Sequence, residues 1–277
     1  FEWIGSDSAR REGISRPSTT FWKDAIGRLM KNKVAVVCFF IIVLLILSCI
    51  IVPFFSPFES REQHLGEVNK GFMTVCTDSR YEGQHHVHYF GTDNLGRDLF
   101  LRAFEGGRVS LMIAFAAVFV NLIVGLIYGG ISGYIGGAVD TIMMRIVEIV
   151  NGIPYLIVVI LLMMVLPKGI FTMVVAYGIT GWTGMARLVR GQVLQLKSQE
   201  YIVAAEAMGA KSSRIIAKHL IPNALSVIII NVTLAIPSAI FTEAFLSYIG
   251  LGVPVPQPSW GVLAKGGQDV FMTYPYQ

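Results

Sequence analysis

Charge is what this sequence has least of. Asp, Glu, Lys and Arg make up 14% of its 277 residues, against about 25% in a soluble domain. Hydrophobic residues supply 54%. So little charge cannot clothe a soluble surface, and the deficit implies an integral membrane protein, whose long uncharged runs suit an all-α, polytopic fold. Also missing are a GxxxxGKS/T phosphate loop, a GxSxG elbow and an HExxH pair, which argues against ATP hydrolysis or metalloprotease chemistry in this chain. No catalytic residue and no cofactor of its own is expected. Cysteine is sparse. Cys38 and Cys49 lie in an apolar run and Cys76 in a polar loop, a distribution with neither a disulfide framework nor a metal spacing. The net charge is only +4, and its placement points to a lipid bilayer rather than to nucleic acid.

What is present is a series of long uncharged runs. Residues 1–33 carry Arg10, Arg11, Arg16, Lys23, Arg28, Lys31 and Lys33, interleaved with Phe21, Trp22, Ile26 and Leu29. This pattern predicts an amphipathic helix at an anionic membrane surface. Val34–Val52 is free of charge and matches the roughly 20 residues that cross a bilayer. The basic flank before it predicts a cytoplasmic N-terminus. Residues 53–108 then form a polar, extracytoplasmic segment, and residues 109–277 the main membrane core.

Later spans follow by the same reasoning. The second is expected over residues 109–131, followed by a Gly-rich turn, GGISGYIGG. The third is expected to start at DTIMMRIVE and run through Pro154 to Leu166, with Arg145 and Glu148 pairing at i, i+3 to ease their burial. The fourth, residues 169–186, is rich in Gly178, Gly181, Gly184, Ala176 and Ala186, which favour close helix packing in lipid. A fifth is expected over Leu220–Thr242, kinked at Pro237. Glu243, near its end, reads either as a packing residue satisfied by Ser and Thr neighbours or as a group lining a pathway, with packing favoured.

Between the fourth and fifth spans lies EYIVAAEAMGAKSSRIIAKHLIP, Glu200–Pro222, with Arg187, Arg190, Lys197, Lys211, Arg214 and Lys218 in and before it. That basic cluster predicts a cytoplasmic location. Tyr201, Ala204, Ala205 and Met208 recur at helical spacing. Gly209 suits a left-handed helix end. A second short helix follows, with Ile215, Ile216, His219 and Leu220 on one side and Arg214 and Lys218 on the other, closed by Pro222. The expectation is a helical hairpin over residues 198–222.

The hairpin resembles the EAA loop of ABC importer permeases, in which Glu-Ala-Ala, three residues, Gly, nine residues and Ile-x-Leu-Pro follow in order. Ala204, Ala205, Gly209 and Pro222 keep that spacing. Val203, His219 and Ile221 stand where the family has Glu, Ile and Leu. A second match is FGTDNLGRD, in which Gly91, Thr92, Asp93, Gly96, Arg97 and Asp98 fit the GTD-x-x-GRD segment of oligopeptide-type permeases. GYIGGAVDTIMMRIVE and EAFLSYIGLGVPVPQPSWG extend the similarity to about residues 30–275. It is strongest to the second permease subunit of oligopeptide, dipeptide and nickel importers.

The resemblance implies the type I importer permease fold, with five spans visible and a sixth beyond Gln277. It implies partners: a homologous permease, two ATPase subunits that bind ATP and magnesium, an extracellular substrate-binding protein, and a peptide substrate, in a bacterial inner or plasma membrane. It implies that Glu200, Tyr201, Ala204, Ala205, Met208, Gly209 and Ala210 dock on an ATPase. Nickel or a nickel chelate is the alternative substrate. An ion-coupled carrier is a further alternative, disfavoured because charged residues are nearly absent from mid-span. Scattered polar groups suit a path for peptides, whose shared feature is the main-chain amide. Asn231, Thr233, Pro237, Ser238 and Thr242 in the fifth span are the candidates, with Asn121 and Asn151 as further polar groups near the spans. His85, His86 and His88 form a tempting HHVH cluster, but adjacent loop histidines more often face solvent than ligate, and no metal site is expected there.

Overall fold

The computed structural model describes residues 21–77 and 86–277, with side chains from residue 25 onward. Arg10, Arg11, Arg16 and His85 lie outside the described residues. The chain divides into two units after Ser48. The first contains α1, Phe21–Lys31, with Arg28 and Lys31 in its last turn. It also contains most of α2, Lys33–Phe55, which is apolar all round, long enough to cross a membrane, and carries Pro53 near its end.

The second unit begins with a small cap. A 3-10 turn spans Leu65–Glu67, and β1, Thr74–Val75, pairs antiparallel with β2, Val87–His88. Asp98 caps the next helix by accepting from Leu101 N at 2.7 Å. That helix, α3, runs Leu99–Ile135. At 1.5 Å rise per residue it is about 55 Å long, more than a bilayer core needs. The expected Gly-rich turn is therefore helical up to Ile135, and the chain turns at Gly136–Gly137, both at positive φ. The reason is packing. A Cβ on Gly129 would lie 2.3 Å from the Ala186 carbonyl oxygen, and one on Gly133 2.9 Å from that of Arg190. These glycines, with Gly125 one turn earlier, let a later helix, α7 (Trp182–Lys197), lie directly on α3.

The expected third span is broken. Helix α4, Gly137–Asn151, and α5, Tyr155–Val165, meet at 77°. Pro154 lacks an amide hydrogen and disfavours helical geometry at Ile153, so the helix stops before it. The Arg145–Glu148 pair forms at 2.6 Å but lies on the exposed face of α4. The fourth span is also divided. Helix α6, Ile170–Thr180, is apolar, and α7, Trp182–Lys197, continues past Ala186 into basic sequence. Gly184, expected to permit close packing, faces open space.

After the hairpin, α8 (Glu200–Ala207) and α9 (Ser212–Ile215), the chain passes through a π-helical turn, Ile216–Leu220, into α10, Ile221–Tyr248. Pro222 thus does not close a helix. The wide π turn just before it relieves the loss of its amide hydrogen, and one helical run of 37 residues extends from Ser212 to Tyr248. Pro237 likewise sits inside α10. The expected polar tail holds one more helix, α11, Trp260–Val270, capped by Ser259 Oγ. Among the described residues three helices are long and apolar enough to span a membrane, and the bent α4–α5 pair makes up to four spans.

Glu243 is buried and accepts from Ser110 Oγ at 2.6 Å and from Ser247 Oγ at 2.7 Å. The expected packing role holds. It joins α3 to α10, and Ser110 Oγ also accepts from Trp260 N of α11.

Candidate functional site

The hairpin is anchored from below. Ile202 of α8, Ile215 of α9 and Leu220 of the π turn are fully buried against Val189 and Val193 of α7, with Ala224 and Ile228 of α10 in the same cluster. Burying a side chain of this size contributes about 1.5–3 kcal/mol relative to leaving it exposed. The link between helices is a Schellman turn. Ala210 N donates to Ala205 O at 3.1 Å, Gly209 N donates to Glu206 O at 2.9 Å, and Gly209 sits at φ +78°.

The four-residue face expected for α8 is split. Ala205 points inward with Ile202. Tyr201, Val203, Ala204 and Met208 point outward, Met208 with 82% of its surface exposed. Glu200 and Gly209 are exposed and Ala210 is half-buried. In the second helix Arg214 and Lys218 are exposed, while Ile215 and Leu220 are buried, as expected from the spacing.

Polar clamps tie this base to the spans. Tyr134, one residue before the end of α3, donates its hydroxyl to Glu206 Oε1 at 3.0 Å. Lys197, the last residue of α7, donates to the Tyr134 carbonyl at 2.5 Å. Asp140 of α4 receives both Arg190 Nε and Nη2 at 2.5 Å, and Ser132 of α3 donates to the same carboxylate at 2.5 Å. Residue spacing gave no sign of the Tyr134–Glu206, Lys197–Tyr134 and Arg190–Asp140 contacts, because their partners lie 50 to 72 positions apart.

At the other end of α3 the GTDNLGRD segment folds on itself. Asp93 accepts from the backbone of Leu95 and Arg97 and forms an ion pair with the Arg97 guanidinium at 2.7 Å. Arg102 is buried and donates to the carbonyls of Ser60 and Pro256, holding the cap on α3. His88 bridges two carboxylates, with Nδ1 2.7 Å from Asp98 and Nε2 3.2 Å from Glu67. Burial opposes charge on His88, but both carboxylates outweigh it and raise its pKa. For Glu67, burial raises the pKa, yet hydrogen bonds from Thr77, Cys76 and His88 lower it overall. His86 is half-buried and His88 fully buried. Beside the cap a cleft of about 750 Å³ opens, lined by Arg97, Lys168, Lys265 and Asp269 among others.

The stretch that carries the anchored hairpin matches a known family. The model described as "Binding-protein-dependent transport system inner membrane component" covers residues 121–275, more than half of the chain. The chain belongs to this permease family. A second model, "N-terminal TM domain of oligopeptide transport permease C", covers residues 20–71. The permease is 48% identical to the oligopeptide transport system permease protein OppC of Bacillus subtilis, over 100% of this chain and 87% of the relative. It is 47% identical to the dipeptide transport system permease protein DppC of the same organism, over 95% and 78%. It is 42% identical to OppC of Escherichia coli K12, over 96% and 84%.

The expected path residues of the permease share one region but not one face. Thr233, Pro237 and Ser238 are exposed on α10, whereas Asn231 and Thr242 are half-buried. Thr233 and Thr242 donate their hydroxyls to Ile229 O and Ser238 O of their own helix. Ile230, Leu234 and Phe241 complete the exposed stripe. Asn121 is buried beside Gly181, and Asn151 lies 2.7 Å from the Thr183 hydroxyl and so links α4 to α7.

Proposed function

We propose that the chain is one permease of an ATP-driven importer for oligopeptides or dipeptides, and that its hairpin receives motion from an ATPase subunit. The observation that carries this reading is the exposed knob of Tyr201, Val203, Ala204 and Met208 on a base packed into α7 and α10. A rigid lever on the membrane helices has use only if a moving partner grips it. The relatives' names supply the substrate class, and they favour peptides over nickel. The two serine hydrogen bonds of Glu243 favour a packing role for that acid over an ion-coupling one.

In this reading the N-terminus and hairpin are cytoplasmic and the cap faces outward. A homologous permease covers the exposed stripe of α10, and the peptide passes between the two. Two ATPase subunits hydrolyse ATP with magnesium, and an extracellular binding protein delivers the substrate. Reconstituting the chain with these partners in vesicles tests it. ATP-dependent accumulation of a labelled short peptide is expected. Accumulation of nickel without peptide would overturn the substrate assignment.

A further inference from the structure

The cap contains a donor set that chain order conceals. His64, Glu67 and Cys76 are all buried, and one ligand atom from each lies within 4.8 Å of the other two. Cys76 Sγ is 3.3 Å from Glu67 Oε2. Around a tetrahedral zinc ion with bonds of about 2.0–2.3 Å, ligand atoms stand roughly 3.3–3.7 Å apart. That pair therefore already has the separation of a coordination edge, and the imidazole needs to close by at most about 1.5 Å.

We propose that His64, Glu67 and Cys76 bind a zinc(II) ion that staples the cap. Three observations support it. First, the donors are of the right kind: one nitrogen, one oxygen and one sulfur suit a borderline metal such as zinc better than calcium or magnesium. Second, the carboxylate is oriented from behind. Thr77 donates its hydroxyl to Glu67 Oε1 at 2.9 Å, and His88 holds Oε2 while itself held by Asp98. Outer partners of this kind fix metal ligands in place. Third, the cap needs a staple. Its strands are two residues long, and its buried apolar cluster is Phe58, Cys76 and Leu101. Modules this small commonly rely on a metal or a disulfide. The Phe58 ring stacks on His88 at 4.4 Å and meets His64 edge-on at 5.9 Å, which shields the site from water. On binding, the Cys76 thiol gives its proton to solvent and the thiolate becomes the ligand.

The inference is independent of the substrate reading, and its test does not use transport. The full chain is purified in its assembled transporter, in a background with Cys38→Ala and Cys49→Ala, stripped with chelator and equilibrated with zinc. About one zinc per chain is expected by mass spectrometry. Cobalt in its place should give a thiolate-to-cobalt charge-transfer band in the near ultraviolet. Cys76→Ser should abolish the band and the zinc. His88→Gln and Thr77→Val should weaken zinc binding roughly 10–100-fold. The cobalt spectrum reads the site in the Cys76-containing protein, so the test stands even if a variant misfolds. Bound cobalt without the thiolate band, or no zinc above that of the Cys76→Ser variant, would overturn the proposal.

Discussion

Tyr134 Oη donates to Glu206 Oε1 at 3.0 Å, joining the last turn of α3 to the exposed hairpin helix. With Lys197 on the Tyr134 carbonyl, the bond makes the ends of α3 and α7 one platform for α8. Displacement of the hairpin is thereby shared with the 37-residue helix α3. Tyr134→Phe removes the hydroxyl's hydrogen bond to the exposed Glu206 carboxylate, so the stability cost should stay near about 1 kcal/mol. The expected result is an assembled transporter whose ATPase activity persists while peptide uptake per ATP falls. Measuring both rates in the same vesicles checks this.

Asp140 and Arg190 carry a heavier structural role. Their bidentate pair fixes α4 to α7, with Ser132 of α3 on the same carboxylate. Asp140→Asn should destabilise the protein by about 1.5–3 kcal/mol, since the lost bonds are charge-assisted. Thermal unfolding in detergent would register it. The charge swap, Asp140→Arg with Arg190→Asp, should recover part of the loss.

Gly129 and Gly184 make a matched pair of controls. A methyl group on Gly129 meets the Ala186 carbonyl at 2.3 Å, whereas one on Gly184 meets nothing within 4 Å. Gly129→Ala should cost about 1–3 kcal/mol by overpacking. Gly184→Ala should be neutral or slightly stabilising, and yield and melting temperature compare the two directly.

Gly209 separates backbone strain from crowding. Its φ is +78°, and a Cβ there faces open space. Gly209→Ala therefore incurs the left-handed penalty alone, about 1–2 kcal/mol. Gly209→Asn should cost less than Gly209→Ala, because Asn tolerates that conformation. Peptide-stimulated ATPase activity should rank Gly, Asn, Ala and then Val.

The stripe on α10 gives a path prediction. With the three native cysteines replaced, single cysteines at positions 230, 233, 234, 237 and 238 are expected to react with a water-soluble thiol reagent, and the rates should change with ATP. Buried Ala239 and half-buried Ala235 mark the protected side. Equal protection at all seven positions would put the path elsewhere.

How far the sequence reached follows from the range of its signals. The α2 span was legible because a charge-free run of bilayer length has one reading. The hairpin was legible because Ala204, Ala205, Gly209 and Pro222 hold a fixed spacing. Gly129 and Gly133 were misread as a turn because glycine serves close packing as well as reversal, and only the position of α7 decides between them. Pro222 was misread as a terminator because a π turn is invisible to hydrophobic periodicity. Helix α11 was obscured by Gly266 and Gly267 within it. The Tyr134–Glu206 and Asp140–Arg190 contacts and the His64, Glu67 and Cys76 donor set were not legible. Local periodicity carries no information about which distant segments meet.

The central claim is that the outward face of α8 is gripped by an ATPase subunit. A photo-crosslinking amino acid at position 208 of the assembled transporter tests it most directly. Met208 is the most exposed residue of the hairpin's apolar face. Irradiation should yield one principal adduct, between this chain and the ATPase, whereas the same probe at Phe54 should give none with that subunit. Adducts from position 208 to lipid or to the chain itself, without any to the ATPase, would contradict the account.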